Sequence, residues 1–232
     1  MSEHPKLKNS PLVETVFELR FDPKNDYGLF LAQIFSTLKN DFPIAETLAP
    51  FDIPDFADGP KLLRNCFKRK DGTALIQLGH GIVSINQSKY DRFNSFLSLI
   101  KKVIKEVENV EPNPNIQRLG LRYINKIPFT NDPSEILVME IKLPTVIKDK
   151  LEAFTYRFRI NENSAGKLRL VIANLIKNDV PTKEMTIDLD HYLLISHSIE
   201  IGEIEKWINE AHENIYNCFI SCIKEEYLEK IK

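Results

Sequence analysis

Two carboxylates in the last third of the chain have a spacing that could support metal chemistry. Asp188 and Asp190 are two residues apart in segment 185–191, so a strand would place both on one face, about 7 Å apart. With Glu14 or Glu18 from another strand, they could hold a divalent cation for phosphodiester hydrolysis. The alternative, which we favour, is that they pair with arginines on a solvated sheet face.

The arginines point to a second kind of chemistry. All of them except Arg92 fall on predicted strands, where they alternate with apolar residues, whereas the lysines mostly occupy predicted helices and loops. Guanidinium groups bind carboxylate and phosphate through two parallel hydrogen bonds. We therefore predict a polar sheet face that binds an anionic partner, which is a nucleotide, a nucleic acid or an acidic protein surface. The predicted ligand-binding residues are Arg20, Arg118, Arg122, Arg157 and Arg159.

A purely structural role is the alternative for these arginines. Long side chains can cover the open face of a sheet by lying across it, and nearby carboxylates can neutralise them in cross-strand pairs.

The remaining reactive residues suggest no catalytic centre. Cys218 and Cys222 have the spacing of half a metal site, but they fall in an apolar helical stripe, which favours a core role. His80 lies between two glycines, where a ligand could approach closely, but we favour a β-bulge or tight turn. The chain lacks the G-x-x-x-x-G-K-[ST], G-x-G-x-x-G, G-x-S-x-G and H-E-x-x-H motifs. We predict no catalytic residue, no metal site and no cofactor.

The elements that must position these residues alternate between strands and helices. Apolar residues recur with a period of two in the first strand, and Asp26 can cap the helix that follows. Asp71-Gly72 predicts a hairpin, whereas the proline-rich segment 42–60 is typical of an irregular loop. The predicted fold is α+β, with a large, twisted antiparallel sheet of about eight strands and helices on one face.

The predicted elements repeat within a single domain that spans residues 1–232. Each half, 11–110 and 115–230, reads as a strand, a helix, three strands and a helix. An internal duplication would explain this order. It would also explain the similarity between the segments Glu18-Leu19-Arg20-Phe21 and Gly120-Leu121-Arg122-Tyr123.

The last helix is predicted to run from about residue 202 to residue 230. Such a helix would be about 43 Å long, nearly the width of the folded chain. Its apolar stripe continues to Leu228 and Ile231, beyond what the sheet was expected to cover. We therefore predict a homodimer that forms through this helix; the alternative is that the two halves of the sheet bury the helix within one chain.

Composition and charge exclude several classes of protein. Among the 232 residues, 43% are hydrophobic and 28% are charged, which argues against disorder. The net charge of −2 gives no overall field that would attract nucleic acid or a membrane. With no spanning or signal segment and only three cysteines, the chain is predicted to be soluble and cytoplasmic.

Three segments resemble a known family. They are Asn9-Ser10-Pro11-Leu12-Val13-Glu14, Arg118-Leu119-Gly120-Leu121-Arg122-Tyr123-Ile124-Asn125, and Leu189-Asp190 followed by His212-Glu213-Asn214-Ile215-Tyr216-Asn217-Cys218-Phe219. Together they resemble a sporadically distributed family of uncharacterised prokaryotic proteins of about this length. Ser10 departs from the pattern, where a second proline is expected. The resemblance implies no activity and no site residue, but a patchy distribution suggests a phage-defence or toxin–antitoxin module.

The sequence thus supports three functional hypotheses. The first is a non-enzymatic binding or regulatory module that uses the arginine-rich face. The second is a metal-dependent phosphodiester hydrolase that uses Asp188 and Asp190, and the third is a structural assembly subunit.

Overall fold

A computed structural model describes residues 9–48, 64–128, 132–139, 142, 144–148, 150–177, 180–195, 199 and 201–231. The predicted α+β fold with a large antiparallel sheet is confirmed, and the sheet has nine strands in the order β2-β3-β4-β5-β1-β6-β9-β8-β7. The strands are β1 Leu12–Asp22, β2 Ile44–Leu48, β3 Arg64–Lys68, β4 Ala74–Gly79, β5 Ile82–Gln87, β6 Asn115–Pro128, β7 Phe154–Asn161, β8 Lys167–Lys177 and β9 Val180–Leu194. The α-helices are α1 Tyr27–Leu38, α2 Phe93–Val110, α3 Thr145–Lys148, α4 Ile201–Cys222 and α5 Glu225–Ile231.

The two halves of the chain order their strands alike. In the first half β1 lies beside β5, which is followed by β4 and β3, and in the second half β6 lies beside β9, which is followed by β8 and β7. The first half has one strand more than was predicted, because β2 pairs with β3 in the register Ile44↔Lys68. The prediction of a loop was therefore wrong for Ile44–Leu48, and residues 49–63 lie outside the described part. Pro43 is compatible with this strand because it precedes the first paired residue. The duplication itself stays a prediction.

The chain divides into two compact units. One, which we call the β1–β5 unit, consists of Glu14–Leu121 and Tyr192–Ile208. The other, which we call the β7–β9 unit, consists of Met1–Val13, Arg122–His191 and Asn209–Lys232.

The core of the β1–β5 unit follows the predicted alternation. Phe17, Leu19 and Phe21 of β1 are buried, and Phe21 contacts Phe30 of α1 with 5.8 Å between ring centroids. The carboxylate of Asp26 accepts hydrogen bonds from the first backbone amides of α1, as predicted for a cap. The Asp71-Gly72 and His80-Gly81 pairs lie in the turns before and after β4, so the hairpin and tight-turn predictions are both confirmed.

The C-terminal segment of the β7–β9 unit differs from its prediction. Instead of one long helix there are two, because Ile223 forms a β-bridge with Leu137 and the backbone amide of Lys224 donates to the carbonyl of Ile136 at 2.8 Å. The backbone groups that would continue the helix are thus bonded to segment 136–138. Leu228 and Ile231, the side chains that were expected to be left for a second copy, are 6% and 5% exposed. The apolar end on which the dimer prediction rested is therefore buried within the chain, and the homodimer itself stays a prediction.

No helix in the described part of the chain is long and apolar enough to cross a membrane.

Candidate anion-binding face

One of the two carboxylates predicted for metal chemistry is held by an arginine. Nε and Nη2 of Arg122 on β6 donate to Oδ1 and Oδ2 of Asp188 on β9, each at 2.7 Å. The Asp188 side chain is only 13% exposed, so this two-point contact supplies the hydrogen bonds that its burial requires. The contact also places Arg122 and Asp188 on the same face of the sheet.

The other carboxylate pairs with the next strand. Nη2 of Arg169 on β8 donates to Oδ2 of Asp190 at 2.9 Å, and the Asp190 side chain is 10% exposed. Asp190 and Asp188 are two residues apart on β9, so they share a face. The arginine-pairing interpretation of the two aspartates is therefore correct.

The carboxylates suggested as further metal ligands are engaged as well. Oε1 of Glu14 accepts a hydrogen bond from Nδ2 of Asn86 at 2.8 Å, and Glu18 forms ion pairs with Arg20 and Arg118. Within the described residues, no group of three or more His, Cys, Asp or Glu side chains could hold a metal ion. The hydrolase hypothesis thus finds no ligand shell among these residues.

Arg20 and Arg118 lie in the β1–β5 unit, and both form ion pairs within the chain. Glu18 binds both, with 2.7 Å from its Oε1 to Nε of Arg20. The guanidinium of Arg118 lies over the ring of Tyr192, 5.3 Å from its centroid, and crosses Gly120 so closely that a Cβ there would be 2.8 Å from Nη1. Because Gly120 has no side chain, the guanidinium of Arg118 can lie across it. These ion pairs are consistent with the structural alternative for Arg20 and Arg118, and their ligand-binding role stays a prediction.

Arg157 and Arg159 lie on β7, the last strand of the sheet order, in a different setting. Both are exposed, and neither side chain makes a hydrogen bond or ion pair with another residue of the described ranges. The register of β7 and β8 places Arg159 directly opposite Arg169 and Arg157 opposite Val171. Lys167 of β8 is exposed on the same side, two residues before Arg169.

These four cations define what we call the basic face: Arg157, Arg159, Lys167 and Arg169. The opposite side of β8 carries the buried Leu168, Leu170 and Ile172, so the cations project away from the core. Asp190 pairs with this face through Arg169. The basic face therefore keeps a local excess of positive charge in a chain whose net charge is −2.

The register places the like charges of Arg159 and Arg169 opposite each other, and Asp190 offsets the charge of Arg169. Directly opposite residues of an antiparallel pair have Cβ atoms about 5 Å apart, where like charges destabilise the sheet. An anion bound between the two guanidinium groups would remove this repulsion and accept several charge-assisted hydrogen bonds. The described groups of this face are cationic hydrogen-bond donors, together with the carboxylate of Asp190, which Arg169 already holds.

The structure thus sorts the five predicted arginines into three settings. Arg157 and Arg159 lie on the basic face, Arg122 lies on the same sheet face beside Asp188, and Arg20 and Arg118 share Glu18 in the β1–β5 unit. Arg122 and Arg157 lie on one side of the sheet, because the Arg122–Asp188 and Arg169–Asp190 pairs and the Arg159↔Arg169 register connect them.

Two members of the basic face, Lys167 and Arg169, were missing from the prediction. A signal for both was present in the sequence, since Lys167 and Arg169 alternate with Leu168 and Leu170 just as the predicted arginines alternate with apolar residues. Their position beside β7 was not apparent, because strand register depends on the fold.

Comparisons with known proteins add no relative: no family model matches this chain, and no curated protein is similar to it.

Proposed function

We propose that this protein is a non-enzymatic binding module that takes an anionic partner on the basic face. The observation that carries the proposal is the direct cross-strand opposition of Arg159 and Arg169, next to Arg157 on an outer strand. A pair of like charges is a cost to the sheet, and a bound phosphate or carboxylate would turn it into a stabilising contact.

The geometry of the basic face suits an extended anion. Arg157 and Arg159 are separated by about 7 Å along their strand, and Arg169 lies about 5 Å from Arg159 across the ladder. Three forked donors at these spacings can contact successive acidic groups of a polymer or several oxygens of a nucleotide. Arg20, Arg118 and Arg122 support the fold instead, because carboxylates of the chain already hold them.

Fluorescence anisotropy with a panel of labelled probes tests the proposal. The probes are a single-stranded oligonucleotide, a nucleotide and an acidic peptide, each titrated with the full chain at two salt concentrations. We expect Arg157→Gln/Arg159→Gln to weaken binding of the preferred probe about tenfold or more and, for a nucleic acid, to reduce the salt slope by about two.

A charge-matched variant separates the basic face from general electrostatics. Lys39→Gln/Lys105→Gln removes the same charge from exposed positions outside the basic face. Equal weakening by both double variants, or no binding of any probe by the natural chain, would contradict the proposal.

A further inference from the structure

β7 is the last strand in the sheet order, and in the part of the chain that the structure describes no strand pairs with its outer edge. Its inner edge pairs with β8 over all eight residues. The outer edge of such a strand offers a row of backbone N–H and C=O groups on which a further strand can form. The same strand carries Arg157 and Arg159 of the basic face.

The ladder with β8 indicates which residues direct their backbone to the outer edge. The amide of Glu162 donates to the carbonyl of Gly166 at 2.9 Å, one step beyond the last pair of the β7–β8 register. In an antiparallel ladder, residues that exchange hydrogen bonds with the partner strand alternate with residues that direct these groups to the other side. Counting back from Glu162, the odd-numbered residues of β7, which include Arg157 and Arg159, direct their N–H and C=O groups outward.

The face of β7 opposite the arginines is apolar and only partly covered. Phe154 and Tyr156 stack with 4.9 Å between their ring centroids. Phe158 is 39% exposed, whereas Leu170, which stands opposite it on β8, is 5% exposed. Every second residue of a strand added to β7 would cover this apolar side, and the residues between them would lie beside the two arginines.

The charges of this edge argue against a second copy of the same strand. In an antiparallel pair of two copies centred on Phe158, Arg157 of each copy would stand opposite Arg159 of the other, where like charges destabilise the pairing. Charged residues on edge strands commonly prevent association between identical edges. A strand with carboxylates at these positions would instead form cross-strand ion pairs with the same arginines.

We propose that the anionic partner of the basic face is an acidic protein segment that adds to β7 as a further antiparallel strand. This inference rests on the proposed function and names the class of its partner. Acidic residues of the segment alternate with apolar ones, so that the carboxylates face Arg157 and Arg159 while the apolar side chains cover Phe158. Strand addition takes its affinity from main-chain hydrogen bonds and its specificity from alternate side chains. A nucleotide or a nucleic acid would use the cationic donors without forming a ladder along the edge.

Labelled peptides of eight residues, the length of β7, test the alternation by fluorescence anisotropy with the full chain. One peptide alternates glutamate and valine, and the other has the same composition with all glutamates at one end. We expect the alternating peptide to bind at least about tenfold more tightly, because it alone presents carboxylates and apolar side chains on opposite faces of a strand.

N-methylation of the alternating peptide tests the backbone contacts. In the proposed pairing, Arg157 and Arg159 exchange hydrogen bonds with the glutamates opposite them, so the glutamate amides point to β7 and the valine amides point away. N-methylated glutamates should therefore weaken binding at least about tenfold through the loss of several hydrogen bonds. N-methylated valines are the matched control and should leave most of the affinity.

Hydrogen exchange, followed by NMR on the natural chain, locates the bound peptide. The amides of Arg157 and Arg159 should exchange more slowly once the alternating peptide is bound, whereas those of Tyr156 and Phe158, which face β8, should be protected with and without it. Unchanged exchange at the two arginines, or equal weakening by the two N-methylated forms, would overturn strand addition.

The oligonucleotide and nucleotide probes distinguish a failure of this inference from a failure of the proposed function. If either probe binds through Arg157 and Arg159 and the alternating peptide does not, the basic face takes anions and the strand proposal is wrong. If no anionic probe binds, the proposed function itself is wrong.

Discussion

Arg122 on β6 donates a hydrogen bond to each carboxylate oxygen of Asp188 on the neighbouring strand β9, both at 2.7 Å. The Asp188 side chain is 13% exposed and that of Arg122 is 41% exposed, so the acid depends on the pair more than the base does. This asymmetry indicates that the contact stabilises the fold mainly by compensating the buried charge of Asp188.

We expect Arg122→Gln to lower the free energy of unfolding by about 2 kcal/mol, because it leaves a largely buried carboxylate without its charged partner. Asp188→Asn should cost less, since the freed guanidinium can reach water. Urea denaturation of both variants and the double variant gives the coupling energy, expected near 1 kcal/mol or above. A coupling of zero would mean that the two side chains do not act as a pair.

Two glycines in neighbouring turns allow a controlled test of steric fit. Gly81 has φ +74°, and a Cβ there would overlap the carbonyl oxygen of Phe21 and lie 3.0 Å from Cδ of Pro23. Gly72 has φ +67°, but a Cβ there would meet nothing within 4 Å. We expect Gly72→Ala to cost about 1 kcal/mol through backbone strain alone and Gly81→Ala about 3 kcal/mol. Thermal or urea unfolding measures both, and equal losses would contradict the predicted clash.

The acid sensitivity of the fold should depend on His191, whose imidazole is fully buried and lies 3.3 Å, through Nε2, from Nδ2 of Asn214. Burial lowers the pKa of His191 from 6.5 to about 4. Between these values the unfolded chain binds a proton that the folded chain does not, so stability falls as the pH falls. The free energy of unfolding should therefore fall by about 3 kcal/mol between pH 6.5 and pH 4, which corresponds to the difference between the two pKa values.

Urea denaturation across this pH range checks the expectation. His191→Gln should be less stable at pH 7, yet it should lose less stability than the natural chain between pH 6.5 and pH 4. In the natural chain, the imidazole signals of His191 should not titrate in NMR spectra until the pH approaches 4. A titration midpoint near 6.5 would contradict this account.

The buried end of α5 should be essential for folding. Leu228→Asp and Ile231→Asp each place a charge where the chain is 5–6% exposed, so we expect each to lower the free energy of unfolding by about 3 kcal/mol or more. Lys230→Asp changes charge on the exposed side of the same helix and should cost less than about 1 kcal/mol. Circular dichroism melts compare the three, and a folded, unaffected Leu228→Asp would show that this end is not part of the core.

Much of the local structure was readable because it depends on neighbours in sequence. The alternation in β1 predicted which side chains are buried, Asp26 predicted the start of α1, and Asp71-Gly72 predicted a hairpin turn. Successive residues of a strand point to opposite faces of the sheet whatever the strand pairs with. The position of Arg157 and Arg159 on the face opposite the apolar residues could therefore be predicted from their alternation alone.

Long-range pairing was decided only by the tertiary structure. Which residue stands opposite Arg159 depends on register, and the fold placed Arg169 there and not a carboxylate. The same holds for Asp188, whose partner Arg122 is 66 residues away. The chain also bends at Ile223 because segment 136–138 offers backbone partners that no helical periodicity reveals. Sequence pattern determined the face on which each charge lies, whereas strand register, which joins distant segments, determined which of these charges are neutralised.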